Sequence, residues 1–195
     1  RRYSRILLHQ FISFRSMRII GGKLKARQFN APSNLPVRPT TDMAKEALFN
    51  ILNNTYDFDE CNVLDLFSGT GSICIEFASR GIKHIRDIDK HPGCVNWIKS
   101  VAEKFELTQI EVQKGDTFKF LTLDNHQYNI IFADPPYDLP NIPTIADLVM
   151  KHNLLTDNGT LIIEHPPFLK LNLQPGFTEV RKYGNSSFSF FEKIK

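Results

Sequence analysis

NVLDLFSGTGSICIEFASRG, residues 62–81, is where the fold of this 195-residue chain is decided. Asn62 to Phe67 is an almost unbroken apolar run, the composition of a strand buried on both faces. A Ser-Gly-Thr-Gly break follows, and GSICIEFASRG then reads as a helix closed by Gly81. Gly69 and Gly71 stand between strand and helix, where a ligand can come close to bare backbone. The dinucleotide fingerprint G-x-G-x-x-G/A lacks its last small residue, because Cys74 occupies that position. A G-x-G by itself says little. Asp87, 22 residues after Asp65 in the strand-like run HIRDID, adds the acid that such folds use to hold ribose hydroxyls.

Outward from this stretch the same alternation repeats. KHIRDI is a second strand and PGCVNWIKSVAEKF a helix, with Pro92 in the first turn, where its missing N–H does no harm. IEVQ is a short strand, DTFKFLTL a helix capped by Asp116, YNIIFA a fourth strand and IPTIADLVMKH a helix. GTLIIEH is a fifth strand, introduced by a TDNG turn. Upstream, RPTTDMAKEALFNIL reads as a helix. Pro39 blocks helix before it, Thr40, Thr41 or Asp42 can cap it, and Ala44, Ala47, Leu48 and Ile51 give an apolar face. Downstream, FTEVRKYGNSSFSFFEKI holds two strands split by Gly184, Asn185 and Ser186, with no room for a helix between them. The pattern predicts an α/β fold: a mostly parallel sheet covered by helices on both faces, ending in an antiparallel C-terminal hairpin.

Composition narrows the function classes. Hydrophobic residues make up 42% of the chain, enough for a sizeable core. No apolar run nears the roughly 20 residues of a membrane-spanning helix. Cys61, Cys74 and Cys94 are an odd set without C-x-x-C spacing, so neither a disulfide framework nor a zinc site is expected, and a reducing, cytoplasmic setting fits. The net charge of +3 is unevenly spread. Residues 1–16 hold Arg1, Arg2, Arg5 and Arg15 and no acid; Met17 to Thr41 add Arg18, Lys23, Lys25, Arg27 and Arg38, again with no acid. A basic front on an acidic body suggests a polyanionic partner. Met17 reads as a natural start, so residues 1–16 are expected to be a leader outside the fold, read through from upstream rather than a transit signal. Residues 17–55 then form a basic arm with a helix, and residues 56–195 the α/β domain.

The second strand end with chemistry in it is YNIIFADPPYDLP, residues 128–140. An acid just past a buried strand faces a cleft, and proline pre-sets the geometry of its neighbours. Pro135 and Pro136 have no N–H, so the carbonyls around them are acceptors with little donor competition. Asp134 adds another acceptor, and Tyr137 a flat face on which a base can stack for roughly 1–3 kcal/mol. Such an array suits a planar ligand carrying an amino group. The lone pair of an exocyclic amine is delocalised into its ring; hydrogen bonds to Asp134 and a proline-linked carbonyl would aim that nitrogen at an electrophile.

With these motifs in place, the sequence resembles the S-adenosylmethionine-dependent, Rossmann-like class I methyltransferases that modify exocyclic amines. Among them it is most similar to the bacterial enzymes that methylate guanine N2 in 16S ribosomal RNA of the small subunit. The resemblance runs from MRIIGGKLKARQF through RPTTDMAKEALFNIL, VLDLFSGTGSICIEFASRG and DPPY to YGNSSFSFFE, nearly all of residues 17–195. DPPY alone is shared by DNA and RNA amino-methyltransferases; MRIIGG together with RPTTD and LFN narrows the family. The resemblance implies a seven-stranded sheet whose last strand is antiparallel, and S-adenosylmethionine as cofactor, released as S-adenosylhomocysteine. It implies that the loop from Asp65 to Gly71, with Phe67, Ser68 and Gly69, cradles the methionine end of that cofactor. Asp87 would bind its ribose, and Asp116, with Thr117 or Phe118 beside it, its adenine. Asp134, Pro135, Pro136 and Tyr137 would hold the target guanine. Relatives often carry Glu-x-Asp where this chain has Asp87-Ile-Asp89, so either acid can be the ribose ligand.

The expected partner is 16S rRNA, in the small subunit or an assembly intermediate. The expected catalyst is a monomer without a metal, because a sulfonium already activates its methyl group and leaves positioning and electrostatics to the protein. Arg18, Lys23, Lys25, Arg27 and Arg38 would neutralise phosphates, with Arg38 touching RNA or the active-site loop. The base would be splayed out of its stack to reach the donor. Two rivals stand beside this reading. One is a DNA adenine-N6 methyltransferase with the same four-residue motif, which the lack of a large target-recognition insertion disfavours. The other is a non-catalytic RNA-binding assembly factor. The histidines show no metal-ligand spacing, His165 reads as structural, and Ser68 sits in no G-x-S-x-G context. Phe188, Phe190 and Phe191 read as core.

Overall fold

The computed structural model of the protein describes residues 14–35 and 40–194. In chain order its elements are β1 (Phe14–Arg18), β2 (Gln28–Pro32), α1 (Asp42–Asn53), β3 (Asn62–Leu66), α2 (Ser72–Ser79), β4 (His84–Asp89) and α3 (Pro92–Lys104). They continue with β5 (Ile110–Lys114), α4 (Thr117–Leu123), β6 (Tyr128–Ala133), α5 (Thr144–Lys151), β7 (Leu155–His165), β8 (Phe177–Tyr183) and β9 (Ser186–Glu192). β3 to β9 make a seven-stranded sheet in the order β5-β4-β3-β6-β7-β9-β8. β3 to β7 pair in parallel, and β9 runs antiparallel to both β7 and β8. This is the α/β architecture that the alternation predicts, hairpin included. Among the described residues no helix is long and apolar enough to cross a membrane.

Apolar strands of this kind bury both faces. Val63, Ile85, Ile130 and Phe132 pack one face against α1, α2 and α3, while Leu64, Leu66, Ile131 and Ile163 pack the other against α4 and α5. Phe188 and Phe190 fill the first core and Phe191 the second, so the Phe-rich last strand is packing material, as expected. Each fully buried Leu, Ile or Phe contributes roughly 1.5–3 kcal/mol relative to exposure. The chain builds β3, β4 and β5 outward in one direction, then returns to the other side of β3 to lay down β6 and β7. Between β3 and β6 the winding reverses, and in such sheets the crevice at the carboxyl ends of those two strands is where ligands bind.

Three expectations need correction. The apolar face of α1 is rotated: Ala44, Leu48, Phe49 and Leu52 are buried, whereas Ala47 and Ile51 are half-buried. The reason is Lys45, which turns inward and is wholly buried. Second, TDNG is no turn ahead of β7 but part of it. Tyr128 pairs with Leu155 and Ile130 with Thr160, so the extra residues bulge out of the ladder between those pairs. Third, the described part of the basic front, residues 14–35, is built into a β-ladder. β1 and β2 form an antiparallel pair with Met17 opposite Phe29, and that ladder takes in residues 14–16, which were assigned to the leader.

A buried ionic latch fastens this pair to α2. The Glu76 carboxylate accepts the backbone N–H groups of Ile20 (2.9 Å) and Gly21 (2.8 Å) and meets Arg80 Nε at 2.8 Å and Lys45 Nζ at 3.6 Å. Lys45 Nζ in turn donates to the Arg18 carbonyl at 2.6 Å and to Ser72 Oγ at 3.1 Å. Burial lowers the Lys45 pKa, and Glu76 opposes that shift. Further along, Ser79 Oγ accepts from Leu24 N and donates to the Gly21 carbonyl. The approach is close enough that a side chain on Gly22, at φ 74°, would lie 1.9 Å from the Ser79 carbonyl oxygen. Removing one partner of a buried ion pair leaves the other uncompensated, at about 3–5 kcal/mol. Glu76→Ala is therefore expected to lower the urea-unfolding midpoint by an amount matching that loss; an unchanged midpoint would show that the latch carries no stability.

Candidate functional site

A cavity of about 700 Å³ opens at the carboxyl ends of β3, β4 and β6, at the switch point. Asp65, Phe67, Ser68 and Gly69 line it from the β3–α2 turn, and Asp116 and Thr117 from the start of α4. Asp134, Pro135, Pro136 and Tyr137 close the remaining wall after β6. The structure thus brings together ten of the twelve catalytic and cofactor residues expected from sequence; Gly71 and Asp87 do not line the cavity.

Parallel pairing explains the acids. Asp65 on β3 lies in register with Asp87 on β4, and alternation along a strand puts both on the sheet face covered by α2. Two residues further on, Asp89 reaches the cavity wall on that same face. Its Oδ2 accepts the Gly69 N–H at 2.9 Å and its Oδ1 the His91 N–H at 2.7 Å, so this one carboxylate braces both the glycine turn and the start of α3. The turn itself needs unusual backbone: Phe67, Gly69 and Gly71 have φ of 60°, 55° and 75°. Glycine adopts such angles freely, and Phe67 is held there by its N–H bond to the Ile88 carbonyl at 3.0 Å.

Asp87 lies behind the turn, fully buried, and does not itself line the cavity. The Cys74 thiol and the Ser68 hydroxyl lie near enough to hold its pKa down somewhat, although Cys74 Sγ donates to the Gly71 carbonyl and Ser68 Oγ points to the carbonyls of Asp65 and Ile88. Both oxygens of Asp87 and Oδ2 of Asp65 are left without a hydrogen-bond partner. The Asp65, Asp87 and Cys74 ligand atoms lie within 4.8 Å of one another. Burial, reinforced by Asp87, Asp134 and Asp89, pushes the Asp65 carboxyl well above the usual carboxylate range. Burial likewise pushes Asp87 up to about 7. The floor beneath the glycine turn is thus crowded with acceptors.

After β6, the Asp134 N–H donates to the Leu66 carbonyl at 3.2 Å, which continues the β3–β6 pairing one step past the strands. The Pro136 carbonyl accepts the Leu139 N–H at 3.0 Å and turns the loop. Tyr137 keeps its ring at the cavity while its hydroxyl meets Ser186 Oγ at 2.8 Å and Glu164 Oε1 at 3.4 Å. Asp116 caps α4, taking the Lys119 N–H at 2.9 Å. His165 is buried, with Nε2 2.7 Å from Ser189 Oγ.

Among the described residues, Lys23, Lys25 and Arg27 lie away from the cavity mouth. Arg18 is exposed and paired to Asp42 at 3.2 Å. Lys23 and Lys25 sit in the segment that packs on Ser79 and Arg80, at the C-terminal end of α2. Arg27 lies over the Phe105 ring, just past the end of α3. Both helices begin at the cavity, and α2 is roughly 12 Å long at 1.5 Å per residue, so these three bases lie at the far end. Arg38 falls outside the described residues. The reading of the sequence missed Thr40, Lys90, His91 and Asn141 on the cavity wall and, beneath it, Glu164. Only Glu164 left a signal, an acid inside the apolar run LIIEH.

A carboxyl whose folded pKa lies above its unfolded value binds extra protons when folded, so stability falls as pH rises between the two values. For Asp87 that window runs from 3.8 to about 7. Asp87→Asn is expected to remove this slope: relative to the parent protein its melting temperature should gain steadily across the window and then level off. A pH-independent difference would refute the burial of a titrating carboxyl here.

Comparisons with known proteins bear on the whole of this architecture. A family profile described as Conserved hypothetical protein 95 matches residues 17–192. Bacillus subtilis YlbH is 30% identical over 184 residues, covering 91% of this chain and 99% of that protein. The Ribosomal RNA small subunit methyltransferase D of Buchnera aphidicola is 31% identical over 160 residues, 82% of this chain and 81% of that one. Among solved structures, the 16S rRNA N2 G1207 methyltransferase of Thermus thermophilus, in complex with AdoMet and guanosine, matches with a TM-score of 0.72 at 20% identity. That match covers 93% of this chain and 50% of the other, and is a likeness of fold. The chain belongs to the family described as Conserved hypothetical protein 95, whose relatives are methyltransferases of the Rossmann-like fold.

Proposed function

We propose that this protein transfers a methyl group from S-adenosylmethionine to the exocyclic N2 amine of a guanine in 16S rRNA of the small subunit. The observation that carries the reading is the placement of Asp134: backbone-bonded to the end of β3, it shares one cavity with the glycine turn and with Tyr137. Support comes from the naming of a 31%-identical relative as a small-subunit rRNA methyltransferase, and from a same-fold enzyme that acts on guanine N2.

The residues present fit the cofactor. The unpartnered Oδ2 of Asp65 is an acceptor for its ammonium group, and the cluster of carboxylates favours a ligand carrying positive charge. Asp89, on the cavity wall, is the acid placed to meet the ribose, with Asp87 behind it. Asp116 and Phe118 also line the cavity and would take the adenine amino group and ring. When bound, S-adenosylmethionine supplies an electrophilic methyl carbon on a sulfonium. The protein's part is to hold the target nitrogen still. Asp134 and the carbonyls preceding Pro135 and Pro136 accept from the amine, and Tyr137 carries the base on its ring. No proton need leave before the nitrogen attacks, and Asp134 stands where the one shed afterwards can go.

Asp134→Ala is expected to lower methyl transfer at least about 100-fold, the scale of losing one preorganised polar contact, with cofactor affinity within twofold of the parent. Isotope transfer from labelled cofactor to small-subunit particles, naked 16S rRNA and short DNA duplexes measures this together with the acceptor class. Retained activity in the variant would refute the assignment, and preferential labelling of DNA adenine would replace RNA by the rival substrate.

A further inference from the structure

Glu164 is the acid buried at the end of β7, with 1% of its surface exposed. A buried carboxylate needs donors, and hydroxyl groups from three separate segments supply them. Thr40, leading into α1, donates to Oε2 at 3.1 Å. Ser186, the first residue of β9, donates to Oε1 at 2.7 Å, and the Tyr137 hydroxyl reaches the same oxygen at 3.4 Å. Ser186 Oγ and the Tyr137 hydroxyl also lie 2.8 Å apart, so serine and tyrosine are bound to each other as well as to the acid. Thr40 and Tyr137 both line the cavity.

An ionised carboxylate only accepts, so it orients all of these hydroxyls in one direction. Ser186 can donate its single proton to Glu164, at the shorter distance, and accept from Tyr137; the tyrosine hydroxyl is then held at one distance and angle. A tyrosine ring tethered at its tip cannot swing, whereas a free one would tilt about the Cα–Cβ bond. We infer that Glu164 is a positioning residue for the methyl acceptor: through Ser186 it fixes the Tyr137 ring as a rigid platform for the target base. It touches neither substrate nor cofactor. The inference rests on the functional reading above in that the platform is for a base.

A double-mutant cycle in the full-length protein tests it. Tyr137→Phe keeps the ring and removes the tether; Glu164→Gln keeps the side-chain shape and removes the carboxylate. Because misplacement by about 1 Å can lower a rate on the order of 100-fold, Glu164→Gln is expected to lower kcat by roughly 10- to 100-fold, with cofactor affinity within twofold. In the Tyr137→Phe background the same substitution should have no further effect. Equal losses in both backgrounds would overturn the inference, since a general packing role does not depend on the tyrosine hydroxyl. A second readout needs no substrate: with ¹³C-labelled tyrosine, the ring resonances missing from Tyr137→Phe identify Tyr137. Those resonances should shift and broaden in Glu164→Gln, and unchanged resonances would overturn the inference. Altered resonances in a protein that labels no RNA would leave the tether standing and remove the functional reading instead.

Discussion

The pairing of β3 with β6 is the constraint on which the rest of this molecule depends. The two strands are far apart in sequence, yet Leu66 lies in register with Ala133. The next backbone bond, from the Asp134 N–H to the Leu66 carbonyl, carries the pairing into the loops. One chain segment then leaves as a glycine turn and the other as Asp-Pro-Pro-Tyr, from adjacent points on one rim. Slipping the register by one residue would send Asp65 and Asp134 to the opposite faces of the sheet. The apolar residues that alternate with them, wholly buried on both faces, prevent such a slip. Packing energy in the core is thus what sets the spacing of polar groups in the cavity.

Much of this was legible in the sequence, for a physical reason. Fully buried strands must be apolar throughout, so VLDLF, YNIIFA and LIIEH announce themselves, and an acid inside or just after such a run has to have a purpose. The glycine turn and the proline pair are equally plain, because glycine marks left-handed backbone and proline fixes its own φ. What was not legible depended on tertiary partners. Lys45 sits among apolar neighbours in α1 and looks like a surface lysine; nothing local says that Glu76, far along the chain, will draw it inward. The bases at residues 23, 25 and 27 look like an arm for a polyanion until the ladder between β1 and β2 shows them carried to the far end of α2. Asp87 and Asp89 are separated by a single residue, and spacing alone could not say which reaches the cavity. Depth along the strand decides it, since both point the same way.

The N-terminal pair does more than lengthen the fold. Its backbone N–H groups at Ile20 and Gly21 satisfy Glu76, and Glu76 satisfies Lys45, which also holds Ser72 at the first turn of α2. Ser72 is on the cavity wall. Thr40 belongs to the same connection, between the pair and α1, and its hydroxyl binds Glu164 under Tyr137. The segment therefore braces the cavity at two places, once through a buried cation and once through a buried anion. Each buried charge is matched by hydrogen bonds from more than one element, the arrangement in which buried charge specifies a conformation rather than merely destabilising it.

Asp65 and Asp87, beneath the glycine turn, are different, because the protein does not fully satisfy them. Asp65 and Asp87 present buried oxygens with no donor, and each raises the proton affinity of the other group or of its surroundings. Filling that corner with apolar side chains would make a more stable protein. Keeping it acidic makes one whose stability rises when positive charge enters the cavity, since whatever binds the folded state alone stabilises it in proportion to its occupancy. Tyr137 shows the opposite arrangement: it lines the cavity while its polar tip is engaged by Ser186 and Glu164. One wall is left electrostatically unsatisfied and the other is mechanically fixed. On the function proposed above, the ligand's charge would meet acceptors that the protein leaves open, and its ring a platform that is already ordered, so that a charged donor and an aromatic acceptor would each find the half of the cavity suited to it.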